Sequence, residues 1–252
     1  MKPVDYDVRM HDTYVRARAM DAAQLAQWIE VFGTRLPSRR PLSGLDLGSG
    51  TGRLTPALAQ TFGPMVGVEP SDRMREIAQR ESADPAVRYV PGSAEDIPLE
   101  SDSVDFTVMF LAWHHVGDKD RAAAELARVT RPGGTLLLRT QFSDRMPHLW
   151  WLEHFPRGRE ADASMYDSTE EMTTVLEGAG WRTTEIAEVT VQQQVTMQES
   201  LDRLRLRTFS TFEQLTEQEI AEGFARLERT VAATPDAPAP AGPATFLVAQ
   251  LP

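Results

Sequence analysis

The 252 residues contain no cysteine, which removes disulfides, thiol nucleophiles and thiolate metal sites from the options. Long apolar runs are missing as well. Nothing approaches the ~18 consecutive apolar residues of a membrane span, and the opening MKPVDYDVRMHDTYVRARAM lacks the apolar core of a secretory signal. A cytoplasmic location with no membrane partner is the expectation. Positive charge is scarce: 26 Lys and Arg face 37 Asp and Glu, a formal net charge of −11, and the basic residues form no stripe. An electrostatic grip on nucleic acid phosphates or anionic lipid is therefore disfavoured, and a small-molecule partner fits better. Internal repeats are absent, and the one low-complexity stretch is TPDAPAPAGP.

What is present is a chain with 41% hydrophobic residues, enough for a sizeable core in one α/β domain with additions. From Leu42 onward short β-like runs alternate with helical ones: LSGLDLG, LTPALAQTF, MVGVEP, RMREIAQR, VRYVPG, SVDFTVMFLA, DRAAAELARV and GTLLLRT. Such alternation implies βαβ units and a parallel sheet. A covering helix is expected over 118–130, with Ala122, Leu126 and Val129 on one face and Pro132-Gly133-Gly134 stopping it.

On either side the rhythm changes. The first 35 or so positions read as an amphipathic helical segment carrying Met20, Leu25, Trp28, Ile29 and Phe32, ended by LPSRRP. It is expected to form an N-terminal helical cap over 1–40, ahead of the main domain at 41–252. Residues 141–166 are aromatic and aperiodic, which suits a lid. Ser168 and Glu171 make a capping box for a helix that stops at Gly178-Ala179-Gly180, and WRTTEIAEVTV reads as a strand. The span 196–233 reads as two helices, the second opened by Thr216 and Glu219, and ATFLVAQL as a last strand.

The chemistry concentrates in GLDLGSGTGRL, residues 44–54. Gly48, Gly50 and Gly52 follow a G-x-G-x-G spacing at a strand-to-helix turn, where a doubly wound sheet lets a ligand touch the backbone. The position at which a dinucleotide fingerprint wants its third glycine holds Arg53, which counts against NAD. Asp46 can accept from loop N–H groups or from a cationic ammonium, and would repel a pyrophosphate.

Asp46-Leu47-Gly48-Ser49-Gly50-Thr51-Gly52 resembles the first motif of class I S-adenosylmethionine-dependent methyltransferases. Glu69-Pro70 in VGVEPS falls about 20 residues later, where the resemblance implies an acid on the ribose hydroxyls. GSAEDIPL places Ala94, Glu95 and Asp96 after the third strand, with Asp96 as the implied acceptor from the adenine amino group. DSVDFTVMFLAWHHV, which includes Leu111, and ELARVTRPGGTLLL resemble the branch containing ubiquinone- and menaquinone-type C-methyltransferases and many natural-product methyltransferases. DTYVRARAM resembles the family's Tyr-x-x-x-Arg element, which puts Tyr14 and Arg18 near the methionine end of the cofactor. The resemblance is close over 42–140. It implies a Rossmann-like, doubly wound, seven-stranded, mostly parallel sheet with the last strand antiparallel, and helical lid insertions at about 141–166 and 196–233. S-adenosylmethionine is the implied cofactor, S-adenosylhomocysteine its product, and no metal is expected.

Methyl transfer is an in-line displacement in which alignment and exclusion of water do most of the work. For a hydroxyl or acidic C–H acceptor a base adds ~10²–10⁴-fold; His115, His114 and His148 are the candidates, packing roles being the alternative. Trp113, Trp150, Trp151 and Phe155 are candidates for an apolar acceptor pocket, with an ordinary core position as the equal alternative, and Arg139 points by topology to the acceptor side. The lid aromatics would equally serve a homodimer contact. Two rival functions stand beside methylation of a small-molecule acceptor: a cofactor-binding protein that catalyses a cyclisation or rearrangement, and a non-enzymatic interaction module with an empty glycine loop.

Overall fold

The computed structural model describes residues 20–192 and 194–252. Its first element, α1 (Ala22–Gly33), is opened by a capping box between Asp21 and Gln24. Strands β1 (Gly44–Leu47), β2 (Met65–Val68), β3 (Val87–Val90), β4 (Val104–Phe110) and β5 (Thr130–Arg139) pair in parallel, and β7 (Ala244–Gln250) runs antiparallel between β5 and β6 (Arg182–Val189). The order is β3-β2-β1-β4-β5-β7-β6. This is the expected seven-stranded, doubly wound, Rossmann-like sheet with its last strand reversed.

The inner strands β1, β4 and β7 are buried on both faces and run largely apolar, whereas the edge strands β3 and β6 carry exposed polar residues. Along β5, Leu136 and Leu138 join one core and Leu137 the other, because successive side chains point to opposite faces. One core receives Ala122 and Leu126 of α4 (Lys119–Val129) and Met172 and Leu176 of α6 (Thr169–Gly178). The opposite core receives Leu58 and Phe62 of α2 (Thr55–Phe62) together with Trp28 and Phe32 of α1. Helix α1 buries its aromatic stripe against this face of the sheet.

The end of α4 departs from expectation. The β-branched Thr130 adopts extended backbone (φ −88°, ψ 131°) and pairs with Val104, so strand follows helix at once. Pro132-Gly133-Gly134 lie inside β5, where the register with β4 shifts.

The two expected insertions meet. Residues 149–165, which include α5 (Gly158–Ala163), pack with α7 (Met197–Arg205) and α8 (Glu217–Ala233) around a separate core of Trp151, Phe155, Leu201, Phe212 and Leu227. Capping boxes at Ser168, Thr196 and Thr216 start α6, α7 and α8. The Pro/Ala segment is fastened to this unit, with Met197 N–H donating to Ala237 O (2.9 Å) and Ala239 N–H to Val195 O (2.8 Å).

Candidate functional site

The chain lays down β1, β2 and β3 in one direction and then returns to place β4 on the other side of β1. A crevice opens where the order reverses, beyond the carboxyl ends of β1 and β4. It holds a cavity of about 430 Å³ whose wall draws on the turn after each of the first four strands: Gly48–Thr51, Glu69–Ser71, Ser93–Glu95 and Leu111–Ala112.

The glycine turn is shaped by close approach. Gly48 has φ +75°, and a Cβ there would lie 2.6 Å from Ala112 Cβ of the turn after β4. Gly50 has φ +56° and donates its N–H to Glu69 Oε2 (2.9 Å). Ser71 N–H donates to the other carboxylate oxygen, Glu69 Oε1, also at 2.9 Å. Ser71 is the N-cap of α3 (Asp72–Glu81). Glu69 is thus clamped at the end of β2 between the glycine loop and a helix start, almost fully buried, with further acceptor capacity beside the cavity.

Asp46, 2% exposed, forms the floor and accepts from Thr55 Oγ1 at 2.6 Å. Burial pushes its carboxyl up to about 6; the Thr55 hydrogen bond and the Arg53 charge work against that rise, and the Glu69 charge adds to it. Beside it the Ser49 hydroxyl is buried in the cavity wall without a hydrogen-bond partner among the described residues. A buried, costly carboxylate and an orphaned hydroxyl in one wall suit a polar ligand with a cationic group. Glu95 also lines the cavity. Burial acts to raise its carboxyl, but N–H donors outweigh it and hold it below the usual range, among them Gly117 (2.9 Å) and Asp118 (3.3 Å).

Of the sequence candidates, Asp46, Gly48, Ser49, Gly50, Glu69, Pro70, Ala94, Glu95, Leu111 and His115 meet in this wall. Gly52 stands just behind it, against Tyr89. Asp96 does not join them. Its backbone closes a tight turn with Ser93 and the residue is exposed outside the lining; Ser93 and Glu95 are the polar residues of that turn that reach the cavity. Tyr14 and Arg18 lie outside the described residues.

The histidines separate. Leu111 leaves β4 in the left-handed region (φ +57°), with its N–H bonded to Arg139 O (2.8 Å), and this sharp turn delivers Trp113, His114 and His115. His115 lines the cavity. His114 is buried behind it, its ring 4.0 Å from that of His115 and 4.9 Å from that of Tyr166. His148 is exposed on the lid surface, paired with Glu153 at 2.6 Å, and lies outside the cavity lining.

The aromatic candidates lie apart from the cavity. Trp113 is 1% exposed and donates Nε1–H to Asp167 Oδ2 (2.9 Å), and Asp167 also pairs with Lys119, so Trp113 joins the lid's return to the core. Trp151 and Phe155 are buried in the lid's own core, within 5.6 Å of the Phe212 ring centroid, and Trp150 packs against that core and His154. None of the four lines the cavity, because each found apolar partners nearer in the fold. Arg139 is half-buried at the end of β5, with Nη1–H on Thr140 O (2.7 Å), and is also outside the lining. Sequence reasoning missed Met74, Ser93, Phe110 and Val116, which line the cavity, and Tyr166, which covers His114. For Met74, Ser93, Phe110 and Val116 the signal was positional only, since each lies at a strand's carboxyl end or a few residues beyond it; Tyr166, in the aperiodic segment, had none.

Comparison with known proteins agrees with this geometry. Residues 45–138 match a family model described as "Methyltransferase domain". An uncharacterized methyltransferase of Mycobacterium tuberculosis is 40% identical over 120 residues, 47% of either chain. A ubiquinone/menaquinone biosynthesis C-methyltransferase of Idiomarina loihiensis is 31% identical over 107 residues, 40% of this chain and 43% of that one. The chain thus matches over about half the length of these curated relatives or less. A crystal structure from Anabaena variabilis, described as a methyltransferase from an antibiotic biosynthesis pathway, superposes with a TM-score of 0.72 at 22% identity, over 93% of this chain and 99% of that one. That likeness establishes a shared fold. The segment that matches the methyltransferase domain model, residues 45–138, is the one that carries the glycine turn, the buried acids and the cavity.

Proposed function

We propose that this chain transfers a methyl group from S-adenosylmethionine to a small-molecule acceptor. The observation that carries the reading is the pair of buried carboxylates on one wall, Asp46 and Glu69, with Gly50 between them and the orphaned Ser49 hydroxyl beside them. Asp46 would face the bound cofactor's cationic amine, and Glu69 would accept from its vicinal hydroxyls. Ser93 and Ala94 border the far end of the cavity, where an adenine would rest. When bound, the cofactor supplies a methyl group already activated on a sulfonium, so the protein's task is alignment and exclusion of water.

The residues past β4 face the acceptor side. His115 is the one titratable side chain at that edge of the described cavity wall, and it takes the acceptor's proton where the acceptor is a hydroxyl or acidic C–H. The lid unit built on 149–165 and 196–233 is the reading's acceptor-selecting part, with a secondary metabolite as the acceptor class. The Anabaena relative's description supports that class.

Titration calorimetry with S-adenosylhomocysteine tests the reading, alongside mass spectrometry of whatever copurifies. Saturable one-to-one binding is expected, followed by accumulation of S-adenosylhomocysteine when S-adenosylmethionine and a panel of ring-bearing acceptors are supplied. Absence of binding would refute the cofactor assignment. Binding with an acceptor that isomerises while S-adenosylmethionine stays intact would replace methylation by a cyclisation or rearrangement.

A further inference from the structure

The cavity wall is acidic: Asp46, Glu69 and Glu95 all contribute to it. Among the described lining residues one permanently charged cation stands against them, Arg53. It sits immediately after the glycine turn and ahead of α2, whose first-turn N–H groups and dipole disfavour a cation. Its guanidinium is held on a rigid surface. The guanidinium carbon lies 5.3 Å from the Phe110 ring centroid, and Phe110 is wedged edge-on against Trp28 at 4.9 Å. Arg53 is also close enough to Asp46 for its charge to oppose the rise of that carboxyl.

An α-amino acid end carries its ammonium and its carboxylate on one carbon. A wall that faces the ammonium with Asp46 therefore needs a cation beside Asp46, and Arg53 is in that place. We infer that Arg53 is the specificity residue for the carboxylate of the cofactor's amino-acid end, so that the cavity selects zwitterionic adenosyl thioethers over those that lack an amino-acid end. A guanidinium fits this task better than an ammonium, because its fork can meet both carboxylate oxygens. The carboxylate in turn relieves the cation's conflict with the start of α2. The inference rests on the cofactor reading above.

The test is calorimetry with two probes, S-adenosylhomocysteine and 5′-methylthioadenosine, which share the adenosine and the thioether but differ in the amino-acid end. The proteins are the wild type, Arg53→Met, Arg53→Lys and Arg18→Met, each checked for an unchanged thermal transition. Arg53→Met is expected to weaken S-adenosylhomocysteine by about 10- to 100-fold, the range of a lost charge-assisted hydrogen bond. Methylthioadenosine should change by less than about twofold, and Arg53→Lys should recover part of the loss. Equal losses for both probes, no loss for S-adenosylhomocysteine, or a selective loss in Arg18→Met alone would each overturn the assignment. A wild type that binds neither probe would instead bring down the cofactor reading itself.

Discussion

Asp46→Asn should make the ligand-free protein more stable while abolishing cofactor affinity. The folded carboxyl sits at about 6 against an ordinary 3.8, with burial the dominant cause. The folded state therefore holds its proton more tightly than the unfolded chain, and this group's contribution to stability declines as pH rises from about 4 to about 6. At about 1.4 kcal/mol per pH unit, the ionised folded state at pH 7 carries a cost on the order of 3 kcal/mol. Asparagine cannot ionise, and its carbonyl oxygen can still accept the 2.6 Å hydrogen bond from Thr55. At about 2–4 °C per kcal/mol for a domain of this size, the thermal midpoint should rise by on the order of 5–10 °C at pH 7. Differential scanning calorimetry of both proteins from pH 4 to 8 gives a diagnostic shape: the gain vanishes near pH 4, where Asp46 is protonated in the wild type too. A variant no more stable at pH 7, or one whose offset is the same at every pH, would refute the account of Asp46 as a destabilised acid kept for its ligand.

Glu69→Ala leaves the N–H groups of Gly50 and Ser71 without their acceptor, so it should cost about 1–3 kcal/mol of stability and lower S-adenosylhomocysteine affinity about tenfold or more; calorimetry reads both. Gly48→Ala forces a Cβ to 2.6 Å from Ala112 Cβ at φ +75°, and its thermal midpoint should fall by the equivalent of about 1–3 kcal/mol together with cofactor affinity. Asp167→Ala orphans the buried Trp113 Nε1–H and strips Lys119 of its partner; denaturant unfolding should show a loss of about 2 kcal/mol, with cofactor affinity unchanged because neither Trp113 nor Lys119 lines the cavity. His115→Ala should reduce turnover by about 10²–10⁴-fold if the acceptor needs a base, with S-adenosylhomocysteine affinity little altered; an unchanged saturated rate returns His115 to a packing role.

Local pattern made much of this protein readable. The alternation from Leu42 onward gave the parallel core, since a strand buried on both faces must be an apolar run and its covering helix must show a stripe. The capping boxes at Ser168 and Thr216 are likewise satisfied within four residues. The glycine turn, Asp46 and Glu69 were visible because their spacing is set by one β-α-β unit, which brings the ends of its two parallel strands side by side.

The remaining assignments depended on which surfaces are nearest in three dimensions. Asp96 and Glu95 are adjacent in sequence, yet a tight turn sends one to solvent and the other to the N–H groups of Gly117 and Asp118. Trp113, Trp151 and Phe155 look alike as aromatics near a site, but Asp167 and the lid core claim them first. His148 likewise sits away from the cavity, beside an exposed partner in Glu153. The sequence by itself determined the sheet, its switch point and the backbone cradle there, because those follow from periodicity and short spacing. Only the tertiary structure decided which side chains face the cavity, because burial and hydrogen-bond competition act between residues far apart in the chain.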